Sequence, residues 1–429
     1  MFATIPATFA LSSIALFDMV FTAFLFSAVG CLLVAAKTGR RWIEYVGYGL
    51  LALATMTKGP VALVLVGVFI AGAWFGGVEL RGRIAALRWK TGFTAAALLA
   101  SPWFVWMNSR FGGDFLRGYV LAGNLWYFTQ PSIFSQRAIS HTFYIRAFAG
   151  AFFPWSAVVA GRAVDLLRRG TSGLRLSVDE KLLWLWTIVV IGFFSFARFK
   201  LDHYIFPAAP ACCLIAARAW REAAADDRGT IGTRVGVFVM AAILIVGGSF
   251  GCVYLFDLNL DLPTVAIVLP LALLVGGVTL MTMCARRGWR VPSNAAVTVV
   301  MLLVVYVVTV GVGYPVLEST RPTAIVGRTI RHFASPDANV GLYGLERWRA
   351  SIRYYVGRPV ARLDDEADLR AFLADPRQGY VVMRRRDFEA LSRAGLPLRE
   401  VSRHRAVIST SGMGLGRQVW GYLVVAEER

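Results

Sequence analysis

Fifteen residues from Phe196 to Pro210, FARFKLDHYIFPAAP, gather Arg198, Lys200, Asp202, His203 and Tyr204 between two apolar stretches. Charge at a bilayer edge costs less than charge at its centre, yet a cluster this dense at one edge points to an anionic or polar ligand. Arg198, Lys200 and His203 together suit the charge of a phosphate. Lys200 and Tyr204 stand at i, i+4, and Pro207 and Pro210 bend or interrupt the helix that follows. An interfacial belt of aromatic and basic residues is the plainer reading, but belts scatter such residues where this corner concentrates them.

Three further constellations accompany it. Lys58 lies in the turn Thr57-Lys58-Gly59-Pro60, where glycine permits the reversal and proline fits the first turn of the next helix. It reads either as a snorkelling lysine at a hairpin corner or as a partner for phosphate. Asp18, with Thr22 one turn onward, sits inside an apolar run, where a carboxylate demands a partner or a wet cavity. It either bonds neighbouring helices or lines a cavity and orients a basic group or a sugar hydroxyl. The connection 108–148 carries Arg137, His141 and Tyr144 at i, i+4 and i+7, one face if helical, followed by Arg146. Aromatics among basic and amide groups suit an interfacial helix or a carbohydrate and lipid-phosphate site. His141 lacks the neighbours of a metal ligand, and no metal set is expected.

The elements that must position these groups are membrane helices. Of 429 residues 57% are hydrophobic and 17% charged, and the apolar content falls into runs near the roughly 20 residues of one crossing. The spans expected are 12–36, 43–57, 60–77, 90–107, 149–164, 181–197, 203–219, 235–255, 264–284 and 293–313, a polytopic α-helical bundle of about ten helices. The net charge of +19 resides mainly in short loops, which topology explains without nucleic acid. Lys37, Arg40, Arg41, Arg81, Arg83, Arg88, Lys90, Arg162, Arg168, Arg169, Arg175, Lys181, Arg218, Arg221, Arg228, Arg234, Arg286, Arg287 and Arg290 all fall on one side of a ten-span chain. The positive-inside rule makes that side cytoplasmic. The turn 57–60, the loop 108–148, the corner 198–203 and the tail then lie outside, as does the amino terminus. The five cysteines lie within apolar segments without paired spacing and read as packing residues.

Residues 1–314 are therefore expected to form the transmembrane domain and 315–429 a soluble α/β domain. Strands are expected at 338–343, 357–364, 379–384 and 419–426, and helices at 345–355, 365–374 and 386–393. No dinucleotide fingerprint, Walker lysine motif or Gly-x-Ser-x-Gly elbow occurs.

Asp18 in ALFDMVFTAFLF, the Thr57–Pro60 turn, Phe153-Pro154-Trp155, Phe199-Lys200-x-x-x-Tyr204-x-x-Pro207-x-x-Pro210 and Tyr354-Tyr355-x-Gly357-Arg358-Pro359 occur in that order. In this the chain resembles the bacterial polyprenyl-phosphate-dependent glycosyltransferases, the family related to lipid A aminoarabinose transferase and to protein mannosyltransferases. The resemblance implies a GT-C fold and inverting transfer of a sugar from an undecaprenyl-type phosphate carrier to a lipid, glycan or protein acceptor. The setting it implies is the periplasmic face of the bacterial inner membrane, with the C-terminal domain periplasmic. Lys58, Lys200, Arg137 and Arg146 would meet the lipid phosphate, while His141, Tyr144, His203 and Tyr204 would contact sugar or acceptor. No cofactor is required, and a divalent cation is compatible with the family.

Family members carry their essential carboxylate in a first outer loop upstream of the helix matched by Asp18. That loop is absent from this sequence, and about three further helices before Met1 are expected to hold it. Asp202 and His203 occupy a gap that is less polar in close relatives of aminoarabinose transferase, and Asn124-Leu125-Trp126-Tyr127-Phe128 also departs from them, so aminoarabinose and lipid A are not assigned. A flippase of polyprenyl-linked sugars would show internal symmetry, which the sequence lacks. A membrane scaffold is the reading to adopt if the outer loop and the basic corner face apart.

Overall fold

The computed structural model describes residues 1–14, 16–126, 129, 142–173, 176–225, 230–255, 262–287, 291–319, 323–345, 349–409 and 418–428. The chain divides into two compact units, Met1–Leu255 with Ile267–Tyr306, and Phe256–Ala266 with Val307–Arg429.

The first unit is helical: α1 (Pro6–Ser12), α2 (Asp18–Thr38), α3 (Arg41–Lys58), α4 (Val61–Phe75), α5 (Val78–Ala85), α6 (Trp89–Phe115), α7 (Phe143–Ala151), α8 (Trp155–Gly173), α9 (Val178–Phe196), α10 (Ala209–Ala224), α11 (Ile231–Tyr254), α12 (Val268–Arg287) and α13 (Val291–Val308). Among the described residues four helical stretches, Asp18–Thr38, Ile231–Tyr254, Thr264–Ala285 and Ala295–Val316, are long and apolar enough to cross a membrane. Each apolar run expected from the sequence lies largely on helix, with local differences; 264–284 opens on a 3-10 turn, Thr264–Ile267, and 293–313 ends in a π-helical turn, Thr309–Gly313. The run 12–36 breaks before Asp18, so that Asp18 opens a helix and does not lie inside one. The run 149–164 divides between α7 and α8. The run 203–219 begins as a 3-10 turn, Asp202–Ala208, and becomes α-helix at Ala209 with Pro210 in its first turn, because proline lacks the donor that a helix interior needs.

Small residues set the closest helix contact. A Cβ on Gly161 of α8 would lie 2.3 Å from the Gly232 carbonyl oxygen of α11, and one on Gly236 would lie 2.4 Å from that of Ala157. The two backbones touch where these glycines face each other, as helices do when lipid offers no hydrophobic drive to associate.

Many of the cations expected in loops lie on helices, Arg162 and Lys181 among them. Arg162 is fully buried within α8, its Nε 3.0 Å from Glu180 and its Nη2 2.7 Å from Glu222. Lys181 lies in the first turn of α9, which Ser177 caps by accepting from the Glu180 amide at 3.2 Å. A buried arginine needs such carboxylates, and they come from positions too distant in sequence for the charge pattern to announce.

The second unit carries a five-stranded sheet in the order β2-β1-β3-β5-β4: β1 (Asn339–Tyr343), β2 (Ala361–Leu363), β3 (Gly379–Arg384), β4 (Leu398–Ser409) and β5 (Gln418–Glu428). Strands β2, β1 and β3 run parallel, whereas β5 and β4 add antiparallel. Further helices are α14 (Tyr314–Ser319), α15 (Thr323–Phe333), α16 (Arg349–Val356), α17 (Glu366–Leu373) and α18 (Arg385–Arg393). Crossovers through α16 and through α17 separate the parallel strands, as parallel pairing requires. Strand β4 and helix α15 were not expected. LREVSRHRAVIS carries the consecutive polar runs Arg399-Glu400 and Ser402–Arg405 on an edge strand, which erases the alternation that identifies a half-buried strand.

Candidate functional site

Three separated segments meet around one ammonium. Asp18 opens α2 and its side chain is buried; Lys58 closes α3; His203 and Tyr204 come from the 3-10 turn that precedes α10. Lys58 Nζ lies 2.5 Å from Asp18 Oδ1. The same nitrogen stands over two rings, 4.9 Å from the centroid of Tyr204 and 5.4 Å from that of Phe21. Carboxylate and ring faces together hold a cation with little water around it. Lys58 keeps 22% of its side chain exposed, so the ammonium retains an open side and two further protons for an anion.

His203 extends the cluster outward. Its Nε2 is 4.0 Å from Asp18 Oδ2, and its Nδ1 is 3.3 Å from Asp202 Oδ1. The His203 backbone amide also donates to Asp202 Oδ1 at 2.9 Å. Bonding to His203 holds the Asp202 carboxyl below the usual carboxylate range, although partial burial works against it. The line Asp202, His203, Asp18, Lys58 thus runs from an exposed carboxylate to a buried ion pair.

Lys200 is buried and donates from Nζ to the Ala197 carbonyl at 2.5 Å, at the end of α9. Desolvation lowers its pKa from the ordinary lysine value. The last carbonyls of a helix favour a cation there, and two ammonium protons remain after that bond.

Tyr144 is buried on α7, a helix packed against the turn 202–208. Arg146 is exposed on the same helix. Arg137 and His141 lie outside the described residues. Gly59 turns the chain after Lys58 with φ of +83°, and a Cβ there would sit 3.1 Å from Asn124 Oδ1 and 3.3 Å from the Tyr119 hydroxyl. The start of the connection 108–148 therefore covers the Lys58 turn. Phe21 and Tyr119 went unremarked in the sequence. Phe21 carried a usable signal, since i+3 places it on the Asp18 face.

An apolar cavity of about 530 Å³ lies between α2 and α10, with Met19, Thr22 and Phe26 facing Pro210, Cys213 and Leu214; neither Asp18 nor Lys58 lines it. Among the described residues no group of three or more His, Cys, Asp or Glu side chains could hold a metal. Asp18, the one acid facing the cluster from a helix, is already bonded to Lys58.

No protein-family profile matches the chain. Curated relatives do. The undecaprenyl phosphate-α-4-amino-4-deoxy-L-arabinose arabinosyl transferase of Erwinia tasmaniensis is 26% identical over 265 residues, 59% of this chain and 46% of the relative. That of Edwardsiella ictaluri is 26% identical over 343 residues, 74% of this chain and 57% of the relative. The chain thus spans about half the length of the curated relatives it matches. Among solved structures, ArnT from Cupriavidus metallidurans bound to undecaprenyl phosphate superposes with a TM-score of 0.67 at 17% identity, over 99% of this chain and 77% of that one. The apo form of the same protein gives 0.67 at 18% identity. The fold is that of a GT-C membrane protein with a C-terminal α/β domain.

Proposed function

We propose a transferase function on the premise that the chain belongs to the ArnT-like branch of the GT-C superfamily: it takes part in inverting transfer of a sugar from a polyprenyl-phosphate carrier to a lipid, glycan or protein acceptor. The observation that carries the reading is Lys58, a partly exposed cation held by Asp18 and two rings, in a helical unit that also holds an apolar cavity between α2 and α10. A phosphate on a long isoprenoid tail has the chemistry to use both, with the anion on the ammonium and the proximal tail in the cavity.

In this reading the acceptor oxygen attacks the anomeric carbon from the face opposite the phosphate. The carbon to phosphate-oxygen bond breaks, and its electron pair leaves with the lipid phosphate. Lys58 and Lys200 stabilise the negative charge that grows there, the kind of preorganised contact worth about 10²–10³ in rate per donor. Asp18 fixes the Lys58 ammonium. Asp18 is committed to that ion pair, so the acceptor proton is assigned to another carboxylate. On the strength of the sequence, His203, Tyr204, Tyr144 and His141 border the sugar or acceptor, and Arg137 and Arg146 join the two lysines on the lipid phosphate. The bundle is assigned ten crossings of the bacterial inner membrane, with the cluster and the α/β domain periplasmic, a reading supported by the one-sided distribution of cations along the sequence.

Purified protein supplied with sugar-loaded carrier and acceptor is expected to release free lipid phosphate only when both are present. Lys58→Ala protein that still folds is expected to lose that release, and unchanged turnover would reject the assignment.

A further inference from the structure

A second cluster lies wholly within the α/β unit, on the segment Tyr354–Pro359 that the transfer reading leaves unused. A cavity of about 470 Å³ is lined by Ala350, Arg353, Tyr354, Gly357, Arg358 and Pro359. Gly357, with φ of +76°, turns the chain at the end of α16 and sets Arg358 and Pro359 beside the helix's last turn. Arg358 Nη1 donates to the carbonyls of Ser335, Pro336 and Ala338 at 2.7, 3.1 and 3.1 Å. Those three bonds anchor the guanidinium and leave its Nε and Nη2 hydrogens unspent. Arg353 makes no ion pair or hydrogen bond among the described residues and is exposed. The carbonyl end of α16 accounts for one arginine in its final turn. It does not account for a second arginine on the same cavity with no acid lining it.

The aromatic partner, Tyr354, meets Tyr355 edge-to-face with ring centroids 5.2 Å apart and is otherwise open. Tyr355 is covered by Arg328, whose guanidinium carbon is 6.0 Å from the ring centroid, whereas Tyr354 is 79% exposed. An open ring face beside cations is how proteins take the apolar face of a sugar while pairing its charged substituent.

We propose that this face of the α/β unit binds a phosphorylated saccharide, with Arg353 and the preorganised Arg358 on the phosphate and the Tyr354 ring against the sugar. The site stands on its own observations and does not depend on the transfer reading. Its volume suits one or two sugar rings. Arginine is the apt cation because its planar fork matches phosphate oxygens in pairs.

The test is calorimetric titration of the full chain, in detergent, with glucose 1-phosphate, glucose and inorganic phosphate. Glucose 1-phosphate is expected to bind at least tenfold more tightly than either of the others. Arg353→Ala and Tyr354→Ala are each expected to weaken it tenfold or more, and Arg353→Lys to restore part of the loss. Both side chains are exposed, so an unchanged melting temperature accompanies the loss. Equal binding of inorganic phosphate would overturn the saccharide assignment. Binding that survives both alanine substitutions and vanishes in Lys58→Ala would move the ligand to the helical unit and overturn the site.

Discussion

The two ends of the helical unit treat charge in opposite ways. Helix α2 runs from Asp18 to Lys37 and Thr38, about 30 Å at ~1.5 Å per residue, and connects them. At the Lys37 end every cation named has an acid. Lys37 and Arg83 lie 3.0 and 2.8 Å from Asp179, Lys181 lies 2.5 Å from Glu79, and Arg218 lies 2.9 Å from Glu180 and 2.8 Å from Glu222. Arg162, between Glu180 and Glu222, is sealed from solvent. At the Asp18 end Lys58 is held by one carboxylate and two rings, Lys200 bonds a carbonyl and no carboxylate among the described residues, and Arg198 is exposed. Neutralised charge is architecture, since it ties α2, α5, α8, α9 and α10 together. Charge left short of partners is what an anionic ligand can use.

Substitutions at the two ends should separate stability from function. Glu180→Ala leaves Arg162 without its main buried partner and is expected to cost about 3–5 kcal/mol of stability, read as a fall in melting temperature. A cost under about 1 kcal/mol, the range of exposed pairs, would dissolve the contrast. Lys58→Met is expected to slow lipid phosphate release by about 10²–10³, roughly 3–4 kcal/mol. It also strands Asp18, so Asp18→Asn with Lys58→Met should recover the stability while release stays lost. Recovery of both would make the pair structural, like those at the other end.

Lys200 sharpens the same comparison through pH. Desolvation lowers its pKa, so its charge is present below that pKa and lost as pH rises through it. Carrier binding is expected to fall on its alkaline side before an ordinary lysine would titrate, and Lys200→Arg should move that limb upward. An unmoved limb would remove Lys200 from the phosphate. Gly59→Ala forces a side chain into left-handed backbone against Asn124, at about 1 kcal/mol, and should weaken turnover by a few fold. Lys37→Ala breaks a pair exposed on both sides and should change stability by at most about 1 kcal/mol, with carrier binding unaltered.

The helices were legible because apolar run length alone sets them, and Thr57–Pro60 and Phe196–Pro210 announced themselves by dense charge at helix ends. The pairing of Lys58 with Asp18 was legible only as an alternative, since forty residues separate the two and no local spacing links them. Arg162 read as a loop cation for the same reason, its partners lying on α9 and α10. In the α/β unit β1 and β3 stood out as buried runs, whereas β4 was hidden by Arg399, Arg403 and Arg405. Arg403 pairs with Glu400 on the same strand, whereas Arg399 pairs with Glu427 of β5, a contact that appears only once the strand is laid beside its neighbour.

The central claim is that Lys58 is the cation for the carrier phosphate. Native mass spectrometry of the purified chain titrated with undecaprenyl phosphate tests it without requiring turnover. The Asp18→Asn, Lys58→Met protein is expected to bind the lipid at least tenfold more weakly than the parent, while Lys37→Ala binds it equally. Undiminished binding by the double variant would contradict the account.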